Sequence, residues 1–358
     1  MPRNRVIYQT EGLYAGATGN GAATTQIKRV QSANYSFDIS RQDINQYGSL
    51  ARIDSVILDP PTVSLDFSYY LTDGANEAAM GFTVSGQGAG GVNFISGLIA
   101  NAEVPQEKNY FIATASGGND LIGYGASSLS REFIAIGNGV VASYSVDASV
   151  GDLPTASVTV EGSNMTMGIG TVPNVTINKT NGAILQSTPN VVGAAISGDG
   201  GSALRPGDIT VVVTGGIGVN LSASNYKPTS ASMSFDLARE DINKLGSKFA
   251  FAKEIDFPVT VSFTCDGILA DLSEGHTTGL HEVVSNDAST YNLSMTLNPP
   301  YAGRSGIQYT LRGAKLDSQS FSSSIGDNKT LSLNFSAQLG GPQDTTNGLF
   351  VGVVGIAS

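Results

Sequence analysis

The chain has little charge. Asp, Glu, Lys and Arg make up 14% of its 358 residues, where soluble chains average about 25%. A surface this poor in charge is a solubility risk for a protein that stays alone. It suits a protein covered largely by copies of itself. A neutral, solvated β-protein is the plainer reading of the same composition. The few charges are unbalanced, with a formal net charge of −11. Affinity for nucleic acid rests on Lys and Arg replacing phosphate counterions, so this balance argues against a tight nucleic-acid binder. It does not argue against a surface that nucleic acid slides past.

Reactive side chains are scarce too. Cys265 is the one cysteine. No disulfide framework is possible, and assembly in a reducing cytoplasm is compatible with that. Its place in the strand pattern "VTVSFTC" reads as a buried free thiol. His276 and His281 are the two histidines. Five apart on a helix they point to different sides, and no CxxC or HExxH accompanies them, so no metal site is expected. Glu274 and Glu282 read as solvated charges. "GQGAGG" (Gly86–Gly91) lacks the Lys-Ser/Thr of a phosphate loop and the later acidic residue of a dinucleotide fold, so it reads as a flexible loop. There is no GxSxG. No catalytic residue and no cofactor are expected; the chain does not read as an enzyme. No apolar run reaches about 18 residues, so no transmembrane helix is expected. "MPRNRVIYQTEGLYAG" has no apolar core of the signal-peptide kind.

What the sequence does have is repetition. "SFDISRQDINQYGS" (Ser36–Ser49) returns as "SFDLAREDINKLGS" (Ser234–Ser247). Extended without a gap to Leu65 and Phe263, the two segments are identical at 14 of 30 positions; composition alone gives about two. Weaker echoes follow in the same order. Gly97–Ala115 matches Gly279–Leu297 with one residue of slippage. Tyr144–Val160 matches Gln319–Phe335 around Gly151-Asp152 and Gly326-Asp327. Upstream, Arg5–Leu13 resembles Ile209–Ile217 in pattern. Four echoes in one order describe a duplicated domain, and the period is too long for a solenoid unit. The expected layout is a first copy over 1–163, a connector with some β structure over 164–204 and no counterpart elsewhere, and a second copy over 205–358.

Each copy reads as mainly antiparallel β with one short helix, a small sandwich or barrel. In "NYSFDIS", Tyr35, Phe37 and Ile39 alternate with Ser36, Asp38 and Ser40, as in a half-buried strand. Val63, Leu65, Phe67 and Tyr69 form a second such face. Met233, Phe235 and Leu237, then Val259, Val261 and Phe263, repeat both. Between the two strands lies a polar stretch of about 16 residues, long for a loop in a compact domain. Short helices are expected over Val92–Asn101 and Thr278–Ser285. Strands are expected over Asn109–Ala115, Glu132–Ile136, Ala142–Ala148 and Thr155–Glu161, and, in the connector, over Asn174–Asn178 and Ile184–Val192.

Loops ordinarily vary more than cores, and here the two copies agree best across a loop. Arg41, Asp43, Ile44, Asn45 and Gly48 return as Arg239, Asp241, Ile242, Asn243 and Gly246. One reading is a shared turn, with Asp and Asn bonding the backbone and Gly at positive φ. The other is a contact surface, with each Arg making charge-assisted bonds and each Ile an apolar tip entering a partner.

With this layout (strand, long polar loop, Pro-containing strand, short helix, then "SVGDLPTASVTV" as a closing hairpin) the chain resembles the tail tube (major tail) proteins of long-tailed bacteriophages, of the type with two tandem tube domains. The resemblance implies a sheet from each domain in a continuous barrel, homotrimers of pseudo-sixfold symmetry, and rings that stack into a tube. It implies that Arg41–Val56 and Arg239–Glu254 project to the adjacent ring. Its implied partners are further copies of itself, a tape measure protein, tail-tip or terminator proteins, and DNA passing through the lumen without specific binding, with no membrane. The implied location is the virion tail, after assembly in the host cytoplasm. Asp38, Asp66 and Asp236, polar positions on the duplicated strands, are the lumen candidates. A tandem β-domain binding module, such as a tail-tip or surface adhesin, is the alternative.

Overall fold

A computed structural model describes residues 11–18, 24–86, 91–99, 106–115, 121, 131–185, 204–215, 226–269, 284, 289–299, 304–324 and 328–355. The fold is mainly β, as expected. The first half contributes β1 (Glu11–Ala17), β2 (Thr24–Gln26), β3 (Val30–Asp38), β4 (Arg41–Ile44), β5 (Asp54–Ile57), β6 (Thr62–Tyr70), β7 (Lys108–Ala115), β8 (Arg131–Ser149), β9 (Thr155–Gly162) and β10 (Asn164–Ile169). The second contributes β11 (Ile209–Gly215), β12 (Tyr226–Asp236), β13 (Arg239–Ile242), β14 (Ala252–Ile255), β15 (Thr260–Leu269), β16 (Tyr291–Leu297), β17 (Gly306–Ser322), β18 (Thr330–Gln338) and β19 (Gly348–Val354).

Eight strands form one antiparallel sheet in the order β3-β6-β9-β8-β12-β15-β18-β17. Their residues alternate between apolar and hydroxyl or acidic side chains, so the sheet buries one face and leaves the other wet. Val63, Leu65, Phe67 and Tyr69 on β6 and Val261, Phe263 and Cys265 on β15 are all buried. The strands β2-β1-β7-β8-β10 and β11-β16-β17-β19 back this sheet. β8 and β17 belong to both layers. Each starts in a backing sheet and finishes in the eight-stranded one, changing over at a register shift, Val141/Ser143 and Leu316/Ser318. Bulges of this kind turn strands through corners. Asn138 (φ 52°) and Gly313 (φ 71°) carry the left-handed residue just before each shift, a conformation open to Gly and to Asn.

The pairing pattern of the first half recurs in the second. Tyr35 faces Leu65 as Met233 faces Phe263. Val141 faces Val160 and Leu316 faces Phe335. The register shift at Val30/Ser32 returns at Pro228/Ser230, and that at Lys108/Tyr110 returns at Tyr291/Leu293.

Several details depart from the sequence reading. β11 pairs with β16 as β1 pairs with β7, Val211 facing Met295 as Leu13 faces Ile112. The counterpart of β11 is therefore Glu11–Ala17, six residues beyond the expected match, because a short apolar alternation aligns equally well at several offsets. Asn164–Ile169 is not without counterpart: β10 pairs with β8 as β19 pairs with β17. In the connector, Ile177 bridges Ile184. The strands expected separately over Glu132–Ile136 and Ala142–Ala148 are one, β8. Among the described residues of the first half the α-helix is α1 (Ala75–Met80), which the sequence did not point to, and the described part of the expected helix, residues 92–99, holds a 3-10 turn at Phe94–Gly97. Six residues are too few for a visible helical period. Of the second expected helix, all but Val284 lies outside the described residues, as do Gly326-Asp327, His276, His281, Glu274, Glu282 and most of Gly86–Gly91.

The core crosses from one half to the other. Phe82 stacks on Phe94 with ring centroids 4.2 Å apart. Phe235 of β12 meets both edge-on at 6.3 and 6.2 Å, a favourable ring geometry. Ser85 completes the joint by exchanging backbone bonds with Val351 and Val353.

Candidate assembly surfaces

The polar face of the eight-stranded sheet collects the lumen candidates. Asp38 lies opposite Thr62, Asp66 between Asn34 and Thr159, and Asp236 opposite Ser143. Thr159 Oγ1 donates to Asp66 Oδ1 at 2.7 Å, and Ser64 Oγ to Asp66 Oδ2 at 3.2 Å. The register puts Asp147, Glu161 and Asp266 on the same face. The same period-2 pattern that exposed the first three would have found these. Against six carboxylates the face carries two lysines, Lys227 near the start of β12 in the middle of the sheet and Lys315 on the edge strand β17. Most remaining positions are Ser or Thr. A sheet of hydroxyls and carboxylates offers water bonds at every step and little to replace phosphate counterions.

The repeated phrase folds as two hairpin arms rather than loops. β4 pairs with β5 and β13 with β14, as two separate two-stranded sheets in equivalent register: Arg41 faces Ile57, and Arg239 faces Ile255. The turns match as well. Ser49 N donates to Gln46 O and Ser247 N to Lys244 O, with Gly48 at φ 87° and Gly246 at φ 82°. Asp43 bonds Arg52 at 2.8 Å across its hairpin, and Asp241 meets Lys253 at 3.4 Å. These carboxylates pair with cations rather than capping the turn backbone. Asn45 and Asn243 are exposed at the strand ends. Ile44 and Ile242, 41% and 42% exposed, sit in the strands and are not the tips. Tyr47, Leu50 and Leu245 are, and all three are fully exposed. Side-chain type alone could not separate an apolar strand residue from an apolar tip.

The two arms differ in support. Ser247 Oγ donates to Lys179 O at 2.8 Å, Phe249 N to the same carbonyl, and Lys248 N to Thr180 O, so β13-β14 leans on the turn after Ile177. Lys179 is itself ion-paired with buried Glu107. Arg41 is exposed, whereas Arg239 is half buried. Arg239 Nη1 donates to Lys253 O at 3.3 Å, while its Nε and Nη2 are buried without a hydrogen-bond partner. Burial lowers the Arg239 pKa, and the nearby Glu254, Glu161 and Glu107 oppose that shift.

The sheet's two margins carry a mismatch. Within the chain, β12 pairs with the last part of β8, Met233 facing Val146 and Phe235 facing Tyr144. Met233, Phe235 and Val146 are buried, at 1%, 3% and 0% exposure. β3 and the end of β17 hold the equivalent places in the other half and have no neighbour on that side among the described residues. There, Tyr35, Phe37 and Phe321 are 38%, 59% and 45% exposed. The sequence expected Tyr35 and Phe37 on a buried face like their counterparts. They point the right way, but β3 is an edge strand.

Among the described residues, no group of three or more His, Cys, Asp or Glu is placed to hold a metal ion, and no helix is long and apolar enough to cross a membrane. Cys265 is buried, Tyr226 lies beside it, and burial pushes the thiol up to about 11. No protein-family model matches the chain, and no curated protein sequence aligns with it.

Proposed function

We propose that the chain is a structural virion protein that closes into rings and stacks as the tail tube of a long-tailed bacteriophage. The observation that carries this reading is the seam between β8 and β12. It is an internal example of a joint that β17 and β3 lack in a single chain, and its apolar residues are buried where theirs are exposed. Pairing β17 of one copy with β3 of the next repeats the seam and closes the sheet on itself, which removes its edges. Such a joint is heterologous, so closure depends on the rotation per copy.

Size favours three copies. Three eight-stranded sheets give twenty-four strands; at about 4.8 Å each, the barrel is roughly 37 Å across, and strand tilt widens it. Two copies give only about 24 Å. After inward side chains are subtracted, the larger bore has room for a DNA duplex, whose grooves are each about 8 Å deep. With the polar sheet face inward, its Asp residues line the path and DNA meets a wall that holds few cations. The fully exposed Tyr47, Leu50 and Leu245 suit contact with the next ring. They also favour the second reading, a tandem β-domain binding module. Negative-stain microscopy of concentrated protein separates the two. Rings or tubes with a central bore are expected; dispersed particles at every concentration, also with a tail-initiating complex present, would overturn the tube.

A further inference from the structure

We propose that the cleft between Lys315 and Asp344 is a socket for Arg41 of a second copy of this chain. The proposal rests on the ring reading above and names a contact it leaves open.

The cleft has a volume of about 560 Å³ and is lined by Lys315, Ser336, Gln338, Gly340, Asp344 and Asn347. Lys315 faces Ser336 across β17 and β18 as Val140 faces Glu161 across β8 and β9. In the first half this place is taken. The chain runs on from β12, Leu237 N donating to Ala142 O at 2.6 Å, and Arg239 follows beside Glu161 and Glu107. Arg41 stands to β3 as Arg239 stands to β12. If β3 of the next copy pairs with β17 as β12 pairs with β8, Arg41 arrives at Lys315 and Ser336, in the cleft.

The charge partner then comes from a different place in the chain. Glu161 is replaced by Ser336. One residue, Ser163, joins β9 to β10, but Leu339–Asn347 joins β18 to β19. This longer connection supplies Asp344. Asp344 Oδ1 accepts from Thr346 N, Thr346 Oγ1 and Asn347 N at 2.8, 2.8 and 3.0 Å. Those donors hold its carboxyl down at about 2, so it is ionised at any physiological pH. Asn93 Nδ2 donates to Asp344 O at 2.8 Å and ties the connection to the first half. Lys315 Nζ donates to Ser289 O at 3.0 Å, which occupies the nearest competing cation. A preformed cleft at the sheet margin, with an ionised Asp344 in its wall and its one lysine already bonded to Ser289 O, thus meets an arginine that a single chain leaves exposed.

The test combines cross-linking with a charge swap. Ser36→Cys and Ser320→Cys occupy the places of Ser234 and Ser145, which face each other in the internal seam; buried Cys265 gives a quiet background. In this double-cysteine protein, oxidation is expected to link copies into covalent oligomers. In that background Arg41→Asp and Asp344→Arg are each expected to cut oligomer yield by about tenfold or more. The two together are expected to restore it, which a mere folding defect would not allow. Linked copies with unaffected single variants overturn the socket and leave the ring standing. Impaired single variants without rescue overturn the pairing of these two groups. No linkage at all overturns the ring, and the socket with it.

Discussion

Glu77 shows what one residue does in this core. Its side chain is fully buried in α1. Its Oε1 accepts from Tyr69 at 2.7 Å and Tyr144 at 3.1 Å, and its Oε2 has no partner. Tyr144 also shares a hydrogen bond with Tyr309 from the other half. Burial raises the Glu77 pKa; the tyrosine hydroxyls oppose the shift and nearby Asp73 adds to it. The folded state therefore holds a proton that the unfolded chain releases. This stabilisation is complete below the ordinary glutamate value of 4.5 and is lost as pH rises through the folded value. Urea unfolding followed as pH is raised above the unfolded value should show the decline, and Glu77→Gln should flatten it; equal slopes for both proteins would rule out Glu77 as the source. The pair Phe235 and Phe37 offers a second comparison. Phe235→Ala should cost about 3–5 kcal/mol of monomer stability. Phe37→Ala should leave the isolated chain within about 0.5 kcal/mol yet reduce ring yield. Matching losses in the monomer would mean that β3 is already covered in a single chain.

At the scale of elements, the two arms have the same fold and different support. Each arm carries an ion pair across its own hairpin, Asp43–Arg52 and Asp241–Lys253, but β13-β14 is also held by the Lys179 and Thr180 carbonyls. Both present apolar tips. Replacing Tyr47, Leu50 and Leu245 together by Asp should leave the far-ultraviolet circular dichroism unchanged, because nothing in the fold covers them. It should shorten tubes severalfold, because a docked tip would then bury an uncompensated charge. Ile44→Asp with Ile242→Asp should act more weakly, since those side chains are already partly covered within their own hairpins. Full-length tubes from the tip variant would leave the repeated phrase as a shared turn and nothing more.

For the whole molecule, the polar sheet face matters more than any one Asp on it. Six carboxylates and two lysines share that face. Changing Asp38, Asp66 and Asp236 to Lys reverses the balance. The variant should still form rings, because all three are exposed, but DNA should then bind in the bore with a steep salt dependence. Binding measured from 50 to 200 mM salt reads this directly. A variant that assembles and still ignores DNA would place the polar face elsewhere.

The sequence by itself determined the local geometry. Alternation of Val63, Leu65, Phe67 and Tyr69 with Ser and Asp fixes a strand and its buried face, because successive side chains must point to opposite sides. The identity of Ser36–Ser49 with Ser234–Ser247 marked the two arms, and Gly48 and Gly246 occupy positive φ where the turn required it. Pairing partners were beyond its reach, because hydrogen bonds between strands join residues far apart in the chain and carry no local signature. The continuity of β8 through its bulge, the place of β10 beside it and the seam of β8 with β12 are all of this kind. So is burial: Phe37 and Phe235 sit in the same phrase on the same strand face. Only the tertiary structure decided that Phe235 meets Phe82, Phe94 and Tyr144 while Phe37 waits at an edge, because what covers a strand comes from whichever strand lies beside it.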